Sequence, residues 1–172
     1  MTLASPADWS LDSSVRYLNH GSFGAVPREV ARVQDAIRSD MENNPNQFFR
    51  SRLPALLADA RAKCAASLGV TASELAFVPN ASQGVIAAAA SVVRRGTKIA
   101  TMSSNYGGVV LGLRSLASRA DATLRELPSL PPSQATPATC VAEVVDQLGD
   151  ADVLVIDQIV ATSAQLNPVA EI

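Results

Sequence analysis

Three short segments in the second half of the chain combine small, polar and aromatic residues in a way that suits ligand binding. Their sequences are FVPNASQG, TMSSNYGG and VIDQIVATS, and each includes the end of a short apolar run. In α/β proteins, ligands bind where the carboxyl ends of parallel strands meet loops and helix N-termini. The sequence therefore predicts that the three segments lie at one edge of a sheet.

The segment FVPNASQG has the clearest chemistry. Asn80, Ala81 and Ser82 fall at a predicted strand-to-helix turn, where backbone amides and a serine hydroxyl can bind a phosphate. Asn80 could instead act only as the helix N-cap, a role in which Asn is common. The glycine spacing and the lysine of a Walker loop are missing, as is the dinucleotide fingerprint.

The other two segments add an aromatic ring and a carboxylate. Tyr106 precedes two glycines, so its ring could lie flat on a planar ligand, or it could be an ordinary surface tyrosine. Asp157 ends the most apolar predicted strand and could orient a ligand or cap the following turn. Together the three segments describe a site for a flat, phosphorylated cofactor such as pyridoxal phosphate.

The chain has a single histidine, His20, within YLNHGSFGAVP. A turn this rich in Gly, Ser and Asn is either a plain connection or part of a site. The composition is that of a soluble globular protein, with 48% hydrophobic residues and a net charge of −2. The sequence has no basic stripe that would indicate a nucleic-acid partner. No apolar run approaches the ~20 residues of a membrane span.

Targeting and redox signals point to a cytoplasmic location. The start of the sequence lacks the basic and apolar blocks of a signal peptide. Cys64 and Cys140 have no metal-type spacing, so we expect two reduced thiols packed in a core.

Helical and strand-like segments alternate along most of the chain, which predicts an α/β fold with a mostly parallel sheet and flanking helices. The predicted helices are 27–44, 53–69, 81–95, 107–120 and 138–149, and the predicted strands are 75–79, 97–102, 122–128 and 151–157. The closing NPVAEI resembles the start of a further helix, so we expect the chain to be a truncated form of a larger fold, with an unpaired sheet edge that some partner covers.

In order and spacing, YLNHGSFGAVP, NNPNQFFRSRLPALL, ELAFVPNASQGV, NYGGV and VLVIDQI…NPVAEI resemble the class V aminotransferase-like, pyridoxal-phosphate-dependent enzymes. The most similar branch is the isopenicillin N epimerase group, which is related to the cysteine desulfurases. The resemblance covers Tyr17 to Ile172 and implies an incomplete type I pyridoxal-phosphate fold, a homodimer and an amino-acid substrate. It also implies an N-terminal arm and first helix at 1–50 and a partial large cofactor domain at 51–172.

The resemblance further implies residue roles. Ala81 and Ser82 would bind the cofactor phosphate, and Tyr106 would cover the pyridine ring, where desulfurases carry a His. The NPNQFF segment would lie near the mouth of the substrate pocket or reach the partner subunit's site. The residues that would border that pocket are Asn19, His20, Gly21 and Ser22. His20 could instead only bond to nearby backbone.

The sequence also departs from the family pattern. Gln158 replaces a His, Ala161 stands where a residue that bonds the cofactor's phenolic oxygen is expected, and Ala164 replaces a Gly. Thr162 or Ser163 could substitute for Ala161 in a longer loop. The family's Schiff-base lysine would lie beyond Ile172, and neither Lys63 nor Lys98 is placed to replace it. We therefore expect this chain alone to be inactive, either as a piece of an enzyme or as a non-catalytic remnant.

Overall fold

The structure is a computed structural model that describes residues 5–172, and these form two compact units divided between Phe77 and Val78. The predicted boundary near Arg50 lies within the first unit. That boundary separates the N-terminal arm from the cofactor domain of the family, whereas the division at Phe77 separates compact units. The predicted boundary therefore stays a prediction. None of the helices in the described residues has the length and apolar character needed to cross a membrane.

The first unit is built from helices whose ends have clear local causes. Asn44 starts a short helix by accepting a hydrogen bond from the Gln47 amide at 3.1 Å. The predicted helix at 53–69 ends at Gly69, which has the left-handed conformation typical of a C-cap glycine, with φ of +73°. The α-helices are α1 (Arg28–Asn43), α2 (Pro45–Gln47) and α3 (Leu53–Leu68), with a π-helical turn at Phe48–Arg52.

The second unit is a three-stranded parallel sheet with three helices. Its strands are β1 (Lys98–Met102), β2 (Thr123–Leu127) and β3 (Val153–Val155), and its helices are α4 (Ala81–Val92), α5 (Gly107–Ala120) and α6 (Pro137–Leu148). The strand order is β2-β1-β3, with Ile99 in register with Leu124 on one side and with Val153 on the other. The central strand β1 is therefore the first of the three in the chain.

Both faces of β1 are covered, because successive side chains of a strand point to opposite faces. Ile99 packs with Leu113 and other residues of α4 and α5 in one core cluster. Ala100 and Met102 pack with Leu127 and Val144 in a second cluster, which includes α6. Burial on both faces explains why β1 is largely apolar after Lys98.

Three features of the fold differ from expectation. The predicted strand at 75–79 has no ladder partner among residues 5–172, and Phe77 and Val78 are half-exposed. A short apolar run does not by itself specify pairing, which explains this error. Cys140 is buried as expected, but Cys64 is exposed. The closing NPVAEI forms a hydrogen-bonded turn at Pro168 rather than a helix.

Candidate functional site

The N-terminus of α4 has the geometry of an anion site. Asn80 caps the helix: its Oδ1 accepts from the Gln83 amide at 2.9 Å, and its carbonyl accepts from the Gly84 amide at 3.1 Å. The amides of Ala81 and Ser82 have no acceptor among the described residues. This pair is therefore free to bind a phosphate, and the partial positive charge at a helix N-terminus favours such binding. Both interpretations of Asn80 from the sequence are compatible with this geometry, because the cap occupies different amides.

The Tyr106 ring and the Ser82 hydroxyl meet at Gly108. A Cβ built on Gly108 would lie 2.8 Å from Tyr106 Cε1 and 3.5 Å from Ser82 Oγ. The ring, the hydroxyl and the bare backbone of Gly108 therefore border one small space, which a side chain at Gly108 would fill. Tyr106 is 57% exposed, so part of its ring remains available to a ligand.

Asp157 joins the end of β3 to the start of α5. Its Oδ2 accepts a hydrogen bond from the Tyr106 amide at 2.8 Å. Tyr106 is the N-cap of α5, so the carboxylate caps that helix rather than the turn that follows Asp157. The role of Asp157 in binding the cofactor stays a prediction. Its carboxylate accepts a hydrogen bond from Tyr106, the residue expected to stack on the pyridine ring.

Asn105 is a site residue that the sequence pattern did not indicate. Its side chain is 6% exposed and links the ends of β1 and β3. Its Nδ2 donates to Thr101 Oγ1 at 2.9 Å and to the Val155 carbonyl at 2.8 Å. Its Oδ1 accepts from the Asp157 amide at 3.0 Å. The only sequence signal was a polar residue between a strand and Tyr106, which does not distinguish a buried asparagine from a loop residue.

The loop after Asp157 folds back on itself. The Val160 amide donates to the Gln165 carbonyl at 2.9 Å, and Asn167 Nδ2 donates to the Asp157 carbonyl at 2.7 Å. Ala164 has φ of +56°, a left-handed conformation that favours glycine. The backbone thus has the shape that the family's glycine would explain, although the residue is alanine. The exposed residues of this loop include Gln158, Ala161, Thr162 and Ser163.

His20 belongs to the first unit, where it holds a local turn. Its Nδ1 accepts from the Ala25 amide at 3.3 Å, and its ring lies edge-on to Tyr17 at 4.9 Å between centroids. The Asn19 carbonyl accepts from the Phe23 amide at 3.0 Å, which closes the same turn. These contacts match the backbone-bonding alternative for His20. The assignment of Asn19, His20, Gly21 and Ser22 to a substrate pocket stays a prediction.

The NPNQFF segment of the first unit borders an open cleft of about 240 Å³. Carboxamides line it, together with an ion pair between Asp40 and Arg52. Phe48, which also lines the cleft, is buried, while Phe49 is half-exposed. The predicted place of this segment near a pocket mouth or a partner subunit also stays a prediction.

Both lysines are engaged in ion pairs. Lys98 begins β1, and the strand's length puts it about 13 Å from the Met102 end that leads to Tyr106. A hydrogen bond from the Lys98 ammonium to the Asp150 carboxylate, with their mutual attraction, raises the pKa of Lys98 above its ordinary value. Lys63 pairs with Asp59 at 2.7 Å on the exposed surface of α3.

The chain is similar in sequence to two isopenicillin N epimerases. That of Amycolatopsis lactamdurans is 42% identical over 84 residues, covering 48% of this chain and 21% of the relative. That of Streptomyces clavuligerus is 29% identical over 177 residues, covering 96% of this chain and 44% of the relative. No protein-family model matches. The chain thus spans less than half the length of these relatives.

The fold is similar to the solved structures of two enzymes. A mutant of the cystine C–S lyase C-DES, with glycine covalently linked to its pyridoxal-phosphate cofactor, has a TM-score of 0.79 at 19% identity over 90% of this chain and 41% of the lyase. The cysteine desulfurase CsdA of Escherichia coli has a TM-score of 0.74 at 18% identity, covering 96% of this chain and 43% of the desulfurase.

These likenesses confirm the predicted fold, an α/β architecture that is part of a pyridoxal-phosphate-dependent enzyme fold. The sequence homologues of the chain are thus isopenicillin N epimerases, and its structural neighbours are a cystine C–S lyase and a cysteine desulfurase, in agreement with the resemblance found in the sequence.

Proposed function

We propose that residues 78–172 bind pyridoxal phosphate and belong to an enzyme that acts on an amino-acid substrate. The observation that carries this proposal is the convergence of the free Ala81 and Ser82 amides with the Tyr106 ring beside Gly108. The free amides suit a phosphate, and the Tyr106 ring suits a flat aromatic ring. When bound, this cofactor withdraws electrons from the carbon next to an amine joined to it.

The residues of this chain would bind and orient the cofactor. The Ala81 and Ser82 amides, with the Ser82 hydroxyl, would hold the phosphate at the positive end of α4. The Tyr106 ring would cover one face of the pyridine and exclude water from it. Asp157 would fix the Tyr106 backbone through the hydrogen bond to its amide.

The proposed reaction is an epimerisation, a carbon–sulfur bond cleavage or a transamination, all of which share this binding site. These reactions need a lysine amine close to the cofactor, and we propose that a continuation of the chain supplies it. We extend the proposal to a cytoplasmic homodimer, in keeping with the resemblance.

A second candidate is a non-catalytic remnant that keeps the fold. Ala161 offers no side-chain donor to a phenolic oxygen, and Lys98 lies at the opposite end of β1 from Tyr106. Translation of the reading frame past Ile172 separates the two candidates. A later lysine on a strand end favours the enzyme, and a stop codon favours the remnant.

The binding proposal is tested by titrating the chain with pyridoxal phosphate and following the circular dichroism of the bound chromophore. Without a covalent bond, we expect a dissociation constant of about 1 mM. Ser82→Ala should weaken binding about tenfold, because a hydrogen bond to a charged phosphate is lost. Ser91→Ala, in the last turn of the same helix, is the matched control and should bind like wild type.

Pyridoxal without its phosphate provides the second control. It should bind at least tenfold more weakly than pyridoxal phosphate, and inorganic phosphate should compete only with the phosphorylated form. Equal binding of both ligands, or equal effects of Ser82→Ala and Ser91→Ala, would rule out the α4 phosphate site.

A further inference from the structure

We infer that Asn105 is a positioning residue, which holds Tyr106 and Asp157 in the arrangement that binds the cofactor; this inference rests on the proposed function. The atoms nearest to a Cβ built on Gly108 belong to Tyr106 and Ser82, not to Asn105. Asn105 acts through Tyr106, its neighbour in sequence, and through Asp157, which lies two residues past the end of β3.

The Asn105 side chain uses both of its hydrogen-bond donors inward. Both donated bonds, to Thr101 Oγ1 and to the Val155 carbonyl, end on groups at the carboxyl ends of β1 and β3. Thr101 is fully buried, and its hydroxyl in turn donates to the same Val155 carbonyl at 3.1 Å. The carboxamide is therefore fixed from three directions in a site that is closed to solvent.

The Asn105 Oδ1 atom connects the fixed carboxamide to the proposed site. Its Oδ1 accepts from the Asp157 amide, and Asp157 Oδ2 accepts from the Tyr106 amide, so a closed ring of contacts links three residues. The Tyr106 side chain is mostly exposed and has little packing to hold it. Its position therefore depends on its backbone, and the backbone depends on this ring.

A second asparagine, Asn167, holds the backbone of Asp157. Asn167, which is 7% exposed, donates from Nδ2 to the Asp157 carbonyl at 2.7 Å. This contact fixes the strand end but does not reach Tyr106. Asn105 is thus the side chain that couples the strand ends to the residue proposed to stack on the cofactor.

The test compares Asn105→Ala with wild type in the full 172-residue chain. The first measurement needs no ligand: amide hydrogen exchange followed by NMR. We expect the Tyr106 and Asp157 amides to exchange about tenfold faster or more in the variant, because their hydrogen-bonded ring is broken. Amides inside α5 and α6, such as those of Leu113 and Val144, should keep their protection.

Two further variants keep the test decisive. Thr101→Val removes one partner of Asn105 with little change of volume, and serves if Asn105→Ala fails to fold. It should speed exchange at the same two amides by a smaller factor. Ile99→Val, in the opposite core cluster, lowers stability without touching the network and is the control for a general loss of protection.

The second measurement is the pyridoxal-phosphate titration. Asn105→Ala should weaken binding about tenfold, while Ile99→Val should leave it unchanged. Unchanged exchange at Tyr106, uniform acceleration at all amides, or wild-type affinity in Asn105→Ala would overturn the positioning role. If wild type binds no cofactor, the proposed function fails, and so does the cofactor part of this inference. The exchange data still decide whether Asn105 holds Tyr106.

Discussion

At the residue scale, the adjacent glycines Gly107 and Gly108 differ in the space around them. A Cβ at Gly107 would meet nothing within 4 Å, whereas one at Gly108 would lie 2.8 Å from the Tyr106 ring. The ring is exposed and can rotate away, so the close approach at Gly108 matters for the position of Tyr106 more than for folding. The proposed site therefore requires a glycine at position 108, where a side chain would displace the Tyr106 ring.

We predict that Gly108→Ala displaces the Tyr106 ring and lowers affinity for pyridoxal phosphate about tenfold or more, with little change in stability. Gly107→Ala is the matched control in the same helical turn. It should stabilise the chain by about 0.5 kcal/mol through helix propensity and leave binding unchanged. The measurements are thermal unfolding and the ligand titration. Equal affinities for the two variants would contradict the prediction.

Ala164 has a left-handed backbone that costs an alanine more than a glycine. Relative to Gly, that conformation costs about 1–2 kcal/mol, and the greater freedom of Gly in the unfolded chain offsets about half of this. We predict that Ala164→Gly stabilises the chain by about 0.5–1 kcal/mol, measured by urea unfolding. Ala161→Gly in the same exposed loop, where φ is not positive, should destabilise it by a similar amount. Destabilisation by Ala164→Gly would show that the loop is not held in this conformation.

At the element scale, α4 and α5 pack closely because a glycine faces an isoleucine. A Cβ on Gly112 would lie 2.7 Å from both Cγ1 and Cδ1 of Ile86. Ile86 is partly buried against the first core cluster and has limited room to move. The two helices that present Ser82 and Tyr106 are therefore held at their distance by this contact.

We predict that Gly112→Ala destabilises the chain by about 1–2 kcal/mol, since overpacking outweighs the gain in helix propensity. In the background of Ile86→Ala, the added methyl finds space, so Gly112→Ala should be neutral or stabilising there. A double-mutant cycle by chemical denaturation measures this coupling. Additive effects of the two substitutions would mean that the helices can separate to relieve the contact.

The sequence predicted the elements that have local signals and missed what depends on tertiary contacts. Asn80 and Gly69 mark the ends of their helices through local chemistry, and both were identified. The apolar run at 75–79 has no local feature that distinguishes a paired strand from an irregular segment, and the prediction there was wrong. The polar bridge from Asn105 to Val155 and Asp157 joins residues about fifty positions apart, so no local pattern could indicate it.

At the scale of the whole molecule, the direction of β1 separates the proposed site from Lys98. All three strands are parallel, so Asn105, Tyr106 and Asp157 follow carboxyl ends while Lys98 and Asp150 lie at the amino ends. The sequence indicated this polarity from the alternation of strands and helices. It could not give the order β2-β1-β3, because neighbours in a parallel sheet are chosen by packing rather than by adjacency in the chain.

This polarity for Lys98, and the ion pair that each lysine makes, predict that neither lysine forms a stoichiometric covalent bond with pyridoxal phosphate. Lys98 lies about 13 Å from the Tyr106 end of its strand. The ion pair with Asp150 raises the pKa of Lys98, which lowers the fraction of free amine below that of an ordinary lysine. Lys63 belongs to the other unit and is paired with Asp59. The chain should therefore release the cofactor on gel filtration, with or without prior treatment with borohydride.

Peptide mapping after borohydride treatment is the measurement. We expect only traces of modification at Lys63 and Lys98, in amounts that rise with the concentration of free cofactor and do not change in Ser82→Ala. Asp150→Asn removes the group that raises the pKa of Lys98, so it should increase the trace at that residue without creating a saturable site. One equivalent of cofactor trapped on either lysine, and lost in Ser82→Ala, would instead show that this chain holds its own reactive amine at the phosphate site.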